Sequence, residues 1–135
     1  MTEYKIPVIA GDGVGPEIIL EGQKVIDAVA PLEGFRVDWI HFPHGTEHYL
    51  KTGEIISEKS LEELGKYRAL YVGAIGDPRV EPGLVDSIIV KVRFAFDEYV
   101  NFRMVKLLEG IPSPILKKGH RKISISSCSG KMITP

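Results

Sequence analysis

A β-prone, largely apolar run from Tyr4 to Ala10 passes directly into Gly11-Asp12-Gly13-Val14-Gly15-Pro16-Glu17. This junction constrains the fold more than any other stretch. A strand that is apolar along its length must be covered on both faces, the situation of a parallel strand between layers of helices. The glycine turn reverses the chain, Pro16 suits a first helical turn and Glu17 complements the positive end of a helix, so a helix should follow at once. The pattern predicts that helix from about Glu17 to Ala30, with Ile18, Ile19, Gly22, Val25, Ile26 and Val29 on its inner face and Pro31 ending it.

The same alternation continues. Phe35 to Phe42 reads as a second strand, Thr46 to Lys51 as a short helical turn closed by Gly53, and Ser57 to Lys66 as a helix in which Ser60 and Glu63 form a capping box. Ala69 to Ala74 is a third, uniformly apolar strand. Gly73 to Gly83 is then a glycine- and proline-punctuated loop at a strand's carboxyl end, the usual place for ligand contacts in open α/β sheets. A helix from Val85 to Tyr99 follows, with Val85, Ile88, Ile89, Val92, Phe96 and Tyr99 at helical spacing, and Val100 to Leu107 alternates as a strand. Strand, helix, strand, helix, strand is the order of an α/β fold whose sheet is partly parallel and flanked by helices.

At 135 residues the chain is long enough for an ordinary core without disulfide or metal staples, and its single cysteine, Cys128, excludes an internal disulfide framework. No apolar run approaches the roughly 20 residues that span a bilayer, and Met1–Lys5 lack the features of a signal peptide. A cytoplasmic protein with no membrane and no nucleic-acid partner is the expectation. The net charge of −1 is nevertheless a sum of unlike parts, for residues 1–114 carry 12 Lys+Arg against 18 Asp+Glu, while residues 115–135 contribute five basic residues and no acid.

Two arginines stand where a core would not want them. Arg93 lies four residues after Ile89 and three before Phe96, on the edge of the apolar stripe. Arg103 shares a strand face with Val105 and Leu107. Each calls for an anion. Together they could grip a dicarboxylic acid bidentately, or each could pair with a local acid such as Asp97 or Glu98. Gly11-x-Gly13-x-x-Pro16 lacks the third glycine of the dinucleotide fingerprint; with Asp38 near the end of the second strand it could be a phosphate turn, but a tight turn into a helix is the favoured reading. His41, His44 and His48 match no standard zinc spacing and read as packing or surface residues.

Three motifs in order then carry a resemblance. Ile9-Ala10-Gly11-Asp12-Gly13-Val14-Gly15-Pro16-Glu17, Gly73-Ala74-Ile75-Gly76-Asp77-Pro78 and the run from Val92-Arg93 through Asp97-Glu98-Tyr99-Val100-Asn101-Phe102-Arg103 resemble the isocitrate/isopropylmalate dehydrogenase family, over Tyr4 to about Pro114. Members oxidise a 2-hydroxy dicarboxylate with NAD or NADP and decarboxylate it with Mg²⁺ or Mn²⁺, as homodimers. The resemblance implies that Arg93 and Arg103 bind substrate carboxylates and that Ser87 and Ile89 read the substrate's third substituent. Aliphatic Ile89, where isocitrate enzymes usually carry asparagine, favours 3-isopropylmalate, with tartrate or D-malate next. Gly76, Asp77, Pro78, Asp86 and Ser87 belong to the segment that approaches the nicotinamide. Met104 departs from the family's usual proline.

The resemblance also implies what should be missing. The third substrate arginine, the catalytic tyrosine and lysine, the metal-binding aspartates and most adenosine contacts lie in the family beyond this chain's last residue, so no catalytic or metal residue is assigned here. On this reading 1–114 is the N-terminal part of an incomplete family domain and 115–135 a divergent basic tail. Reading the neighbouring frame of a back-translated Arg121–Pro135 can restore the acidic stretch, strand and arginine-glutamate-asparagine motif that the family expects. A frame slip near Lys117-Lys118 is therefore the expectation, against a natural short relative or a deliberate boundary.

Overall fold

The computed structural model describes residues 1–85, 87–98 and 100, together with the backbone of 104–105 and 126–127. It divides into two units, residues 1–96 and 97–135. The first contains β1 (Thr2–Ile9), α1 (Gly15–Val29), β2 (Phe35–Phe42), α2 (Thr46–Thr52), α3 (Glu58–Leu64), β3 (Tyr71–Val72) and α4 (Ser87–Ala95). Its strands form one parallel sheet in the order β2-β1-β3. In the second, β4 (Met104–Val105) pairs antiparallel with β5 (Ser126–Ser127).

The expected α/β architecture is what the chain adopts, and its register explains how both sheet faces are covered. Ile9 lies level with Phe42 and with Val72, so the three side chains share a face. On that face they join Ile56, Leu61, Leu64, Val85, Ile88 and Val92 from α3, α4 and their flanking loops in the main core. On the opposite face the rings of Trp39 and Tyr71 lie 5.8 Å apart, and the indole Nε1 of Trp39 donates to Asp27 of α1 at 3.0 Å. Gly22 lets α1 approach here, since a Cβ on it would stand 1.9 Å from the Tyr71 hydroxyl oxygen. Val8 and Ile9, adjacent on the central strand, are both fully buried on opposite faces.

Several local expectations are corrected. The amino-terminal half of β1 is exposed, and there the sheet is held by an edge-on Tyr4–Phe35 contact at 5.7 Å and a Glu3–Arg36 ion pair at 3.0 Å between residues in register. On α1 the buried positions are Gly15, Ile19 and Gln23, while Ile18, Val25 and Val29 face outward. The cap of α3 is Ser57, whose Oγ accepts the Ser60 amide at 3.1 Å; Glu63 reaches forward to Lys66 instead of back to an N-cap. Strand β3 is shorter than the apolar run that suggested it and only half-buried, and β1 reaches it with two residue pairs. The last helix covers Ser87–Ala95 and so ends before Tyr99; Tyr99 and most of the strand expected over Val100–Leu107 lie outside the described residues. Gly53 does close α2, in the left-handed conformation that glycine tolerates.

Gly11 and Gly13 separate two reasons for glycine at the β1–α1 turn. Both have positive φ, but a Cβ on Gly11 would fall 2.0 Å from the Ala74 carbonyl oxygen, whereas one on Gly13 meets nothing within 4 Å. Gly13→Ala should therefore cost only the left-handed penalty of about 1 kcal/mol. Gly11→Ala must also displace backbone and should cost about 3 kcal/mol or more. Urea unfolding of the two variants checks this, and equal losses would refute the close approach.

Candidate functional site

Parallel strands deliver their carboxyl ends to one edge of the sheet, so the turns after β1, β2 and β3 meet there. Asp12 ties all three together. Its side chain is in a residue only 7% exposed, and Oδ1 accepts the Thr46 amide at 2.7 Å while Oδ2 accepts the Thr46 hydroxyl at 3.0 Å and the Gly76 amide at 3.0 Å. A buried carboxylate is tolerable only when donors replace its water, and three do so here. The backbone of Asp12 is equally committed: its N–H donates to the Ala74 carbonyl at 2.7 Å and its carbonyl accepts the Gly15 amide at 2.8 Å. The glycine turn is thus closed on the protein's own backbone, as a tight turn into α1. Asp38 lies in mid-strand opposite Lys5, away from the strand end where a ribose contact would need it.

A second link spans the same loops at the surface. Asp77 Oδ1 accepts the Arg79 amide and Nε, both at 2.9 Å, and Oδ2 accepts Arg79 Nη2 at 2.8 Å; the same Nη2 reaches Glu47 Oε1 at 2.7 Å. The Arg79 side chain, helped by its backbone amide, holds the Asp77 carboxyl at a pKa of about 2, and Asp77 in turn makes the guanidinium harder to deprotonate. Glu47 follows Thr46 in sequence, so the loop after β3 is tied to the start of α2 by a buried clasp and an exposed one.

Helix α4 presents the remaining candidates. Ile88 and Val92 bury its inner side in the main core, which Ile75 and Val80 of the Gly73–Gly83 loop also join. Arg93 is half-buried at the edge of that stripe, where its spacing placed it, and Ile89, 44% exposed, lies one turn away on the same face. Ser87 opens the helix with its Oγ donating to the Leu84 carbonyl at 2.5 Å. Gly76 and Pro78 are exposed, with Asp77 between them held by Arg79. Arg103 and Asp86 lie outside the described residues.

Two of the three histidines meet at the start of α2. His44 and His48 meet edge-on with centroids 5.0 Å apart, and among the described residues no group of three or more His, Cys, Asp or Glu is placed to hold a metal ion. Nor is any helix of the described residues long and apolar enough to cross a membrane. What sequence reading missed is the Asp12 clasp and the Arg79 bridge, which join residues 34, 64 and 32 positions apart.

Comparison with known proteins bears on this arrangement. A family profile described as isocitrate/isopropylmalate dehydrogenase matches residues 5–125. The chain is 40% identical over 112 residues to 3-isopropylmalate dehydrogenase of Thermobifida fusca, and 42% identical over 112 residues to that of Mycolicibacterium vanbaalenii, in each case covering 82% of this chain and 32% of the relative. It therefore spans about a third of the length of these relatives. A β-decarboxylating dehydrogenase from Thermococcus kodakarensis, solved in its apo form, superposes with a TM-score of 0.57 at 31% identity over 76% of this chain and 29% of that one.

Two outcomes follow from the clasps. Asp12→Ala leaves three donors without their acceptor and should lower unfolding stability by about 3 kcal/mol, with Asp12→Asn, which keeps one carbonyl oxygen, losing roughly half as much. Denaturant titration of both variants checks the order. For Asp77, the folded carboxyl binds its proton less readily than the unfolded one, so its contribution is complete above the ordinary carboxylate value of 3.8 and is lost as pH falls through about 2. Carboxyl ¹³C titration should place Asp77 near that lower value, and Arg79→Ala or high salt should return it toward the ordinary one.

Proposed function

The chain belongs to the isocitrate/isopropylmalate dehydrogenase family, and on that premise we propose that it forms the substrate-gripping part of an oxidoreductase that oxidises and decarboxylates a 2-hydroxy dicarboxylate, 3-isopropylmalate, in leucine biosynthesis. The observation that carries this reading is the pairing of Arg93 with Ile89 on one face of α4. A guanidinium offers a carboxylate two parallel hydrogen bonds, and an aliphatic neighbour one turn away suits an alkyl substituent beside that carboxylate. Arg103 is assigned the second carboxylate contact. Isocitrate, which carries a further carboxylate in place of the alkyl group, would find no polar partner at Ile89. Tartrate or D-malate is the second reading, because an aliphatic residue at this position also fits those substrates.

Gly76, Asp77, Pro78, Asp86 and Ser87 are assigned to the approach of the nicotinamide of NAD, with NADP as the alternative. Gly76 and Pro78 are exposed residues, which suits an edge contact with that group, and the Asp12 clasp on the Gly76 amide holds the backbone in place. Bound nicotinamide supplies a hydride acceptor. Among the described residues no group of three or more His, Cys, Asp or Glu is placed to hold the family's Mg²⁺ or Mn²⁺. A homodimer in the cytoplasm is the assembly this reading implies. The purified 135-residue chain is assigned anion binding without turnover, because on the resemblance it holds no general acid–base pair. The all-basic charge of 115–135 supports a shifted reading frame; coding DNA without family sequence in the neighbouring frame would refute that.

The expected result is weak binding of 3-isopropylmalate by calorimetry or NMR, reduced at least about tenfold by Arg93→Ala, with isocitrate bound less well. Tighter binding of isocitrate would overturn the alkyl reading. NAD reduction with Mn²⁺ should show no turnover by this chain, and a substrate-dependent rate abolished by Arg93→Ala would overturn that part.

A further inference from the structure

His44 lies at the foot of the Asp12 clasp, in surroundings that suit only its neutral form. It is 5% exposed, and neither Nδ1 nor Nε2 has a hydrogen-bond partner among the described residues. Its ring stacks on Phe42 of β2, centroids 6.2 Å apart at 26°, and takes the edge of His48 of α2 at 5.0 Å and 81°. Phe42 in turn packs on the main core. An imidazolium is a donor at both nitrogens and needs two acceptors, and among the described residues none accepts from either. Among the charged groups that act on the ring, His48 opposes a proton there and Glu54, after α2, favours one, while burial weighs against it most. Asp12, on the β1–α1 turn, is already engaged by Thr46.

Only Gly45 separates His44 from Thr46, whose amide and hydroxyl both bind Asp12, and Asp12 holds the Gly76 amide. Hydrating His44 therefore requires moving the segment from Pro43 to His48 that makes the clasp. We propose that protonation of His44 unlatches Thr46 from Asp12, so that the loop bearing Gly76 and Asp77 is held closed above neutral pH and released in mild acid. The device stands on this chain's own geometry and goes beyond the dehydrogenase reading without resting on it.

The direction is set by linkage. An opened His44 takes up a proton near its ordinary value of 6.5, and the closed form resists it because of burial. Closure is thus undiminished above that pH and weakens as pH falls below it, until the closed form itself protonates.

Amide hydrogen exchange on the full chain, corrected for intrinsic rates, tests this at Thr46 and Gly76. Their opening constants should rise by up to about tenfold per pH unit below the ordinary histidine value. In His44→Leu they should be flat over the same interval, and in His48→Gln the rise should persist. Flat constants in the unaltered chain, or an unchanged rise in His44→Leu, overturn the proposal. Should His44→Leu fail to fold, the imidazole of the unaltered chain decides: a His44 ring that protonates near 6.5 while Thr46 and Gly76 stay protected is equally fatal.

Discussion

The buried carboxylate of Asp12 is the constraint on which the candidate site depends. A parallel sheet brings its loops to one edge but does not specify how they lie against each other, because each loop leaves backbone donors that could equally face water. Asp12 removes that freedom by taking two donors from Thr46 and one from Gly76 onto a single side chain. It can do so only because the glycines beside it admit a close approach: at Gly11 a Cβ would strike the Ala74 carbonyl, and at Gly45 one would come within 2.9 Å of Asp12 Oδ1. The glycine turn and the acid inside it are therefore one device. Together they pack three loops against one another.

Elements governed by local periodicity were legible before the structure. The bounds of β2, the closure of α2 by Gly53, and Arg93 at the rim of the apolar stripe of α4 all follow from spacing and turn chemistry. Helix α1 was misread because its apolar residues occupy both sides: Ile18, Val25 and Val29 mark one stripe and Ile19 and Ile26 another, and a hydrophobic pattern alone cannot choose between them. The choice is made by Tyr71 and Ala10, which demand the small residues Gly22 and Gly15 on the inner side, and Gln23 is buried as a result. Ser57 and Ser60 offer the same capping spacing one turn apart, so sequence alone does not choose between them. The clasps were illegible for a different reason. No local signal relates Asp12 to residues 34 and 64 positions away.

The two faces of the sheet are also held unequally, and the candidate site is built on the stronger one. On the side of α3 and α4 the core is continuous, running from Ile9 through Leu61 and Leu64 to Ile88 and Val92. Burial of that kind fixes the rotation of α4 about its axis, since turning it to expose Ile88 would cost on the order of 2 kcal/mol for that side chain alone. Rotation in turn fixes Arg93 and Ile89, which ride on the same turns. Ile75 and Val80, packed into the same core, anchor the loop that Asp12 clasps. A charged residue and an aliphatic one are thus presented by a helix that cannot roll, beside a loop whose backbone is pinned.

On the α1 side the contacts are fewer and more polar. The helix is located by the fit of Tyr71 against Gly22, by the Trp39–Asp27 hydrogen bond at 3.0 Å and by Ile19, while Ile18, Val25 and Val29 point away from the sheet. A hydrogen bond at an exposed position contributes little beside a continuous apolar core, so α1 should be the less firmly held of the flanking layers. Yet α1 begins at the turn containing Asp12, whose carbonyl takes the Gly15 amide. The Asp12 clasp consequently does for α1 what the core does for α4: it secures the helix at the end nearest the site, while the far end is held at Ala30, which is buried and whose carbonyl accepts the Phe35 amide at 3.0 Å.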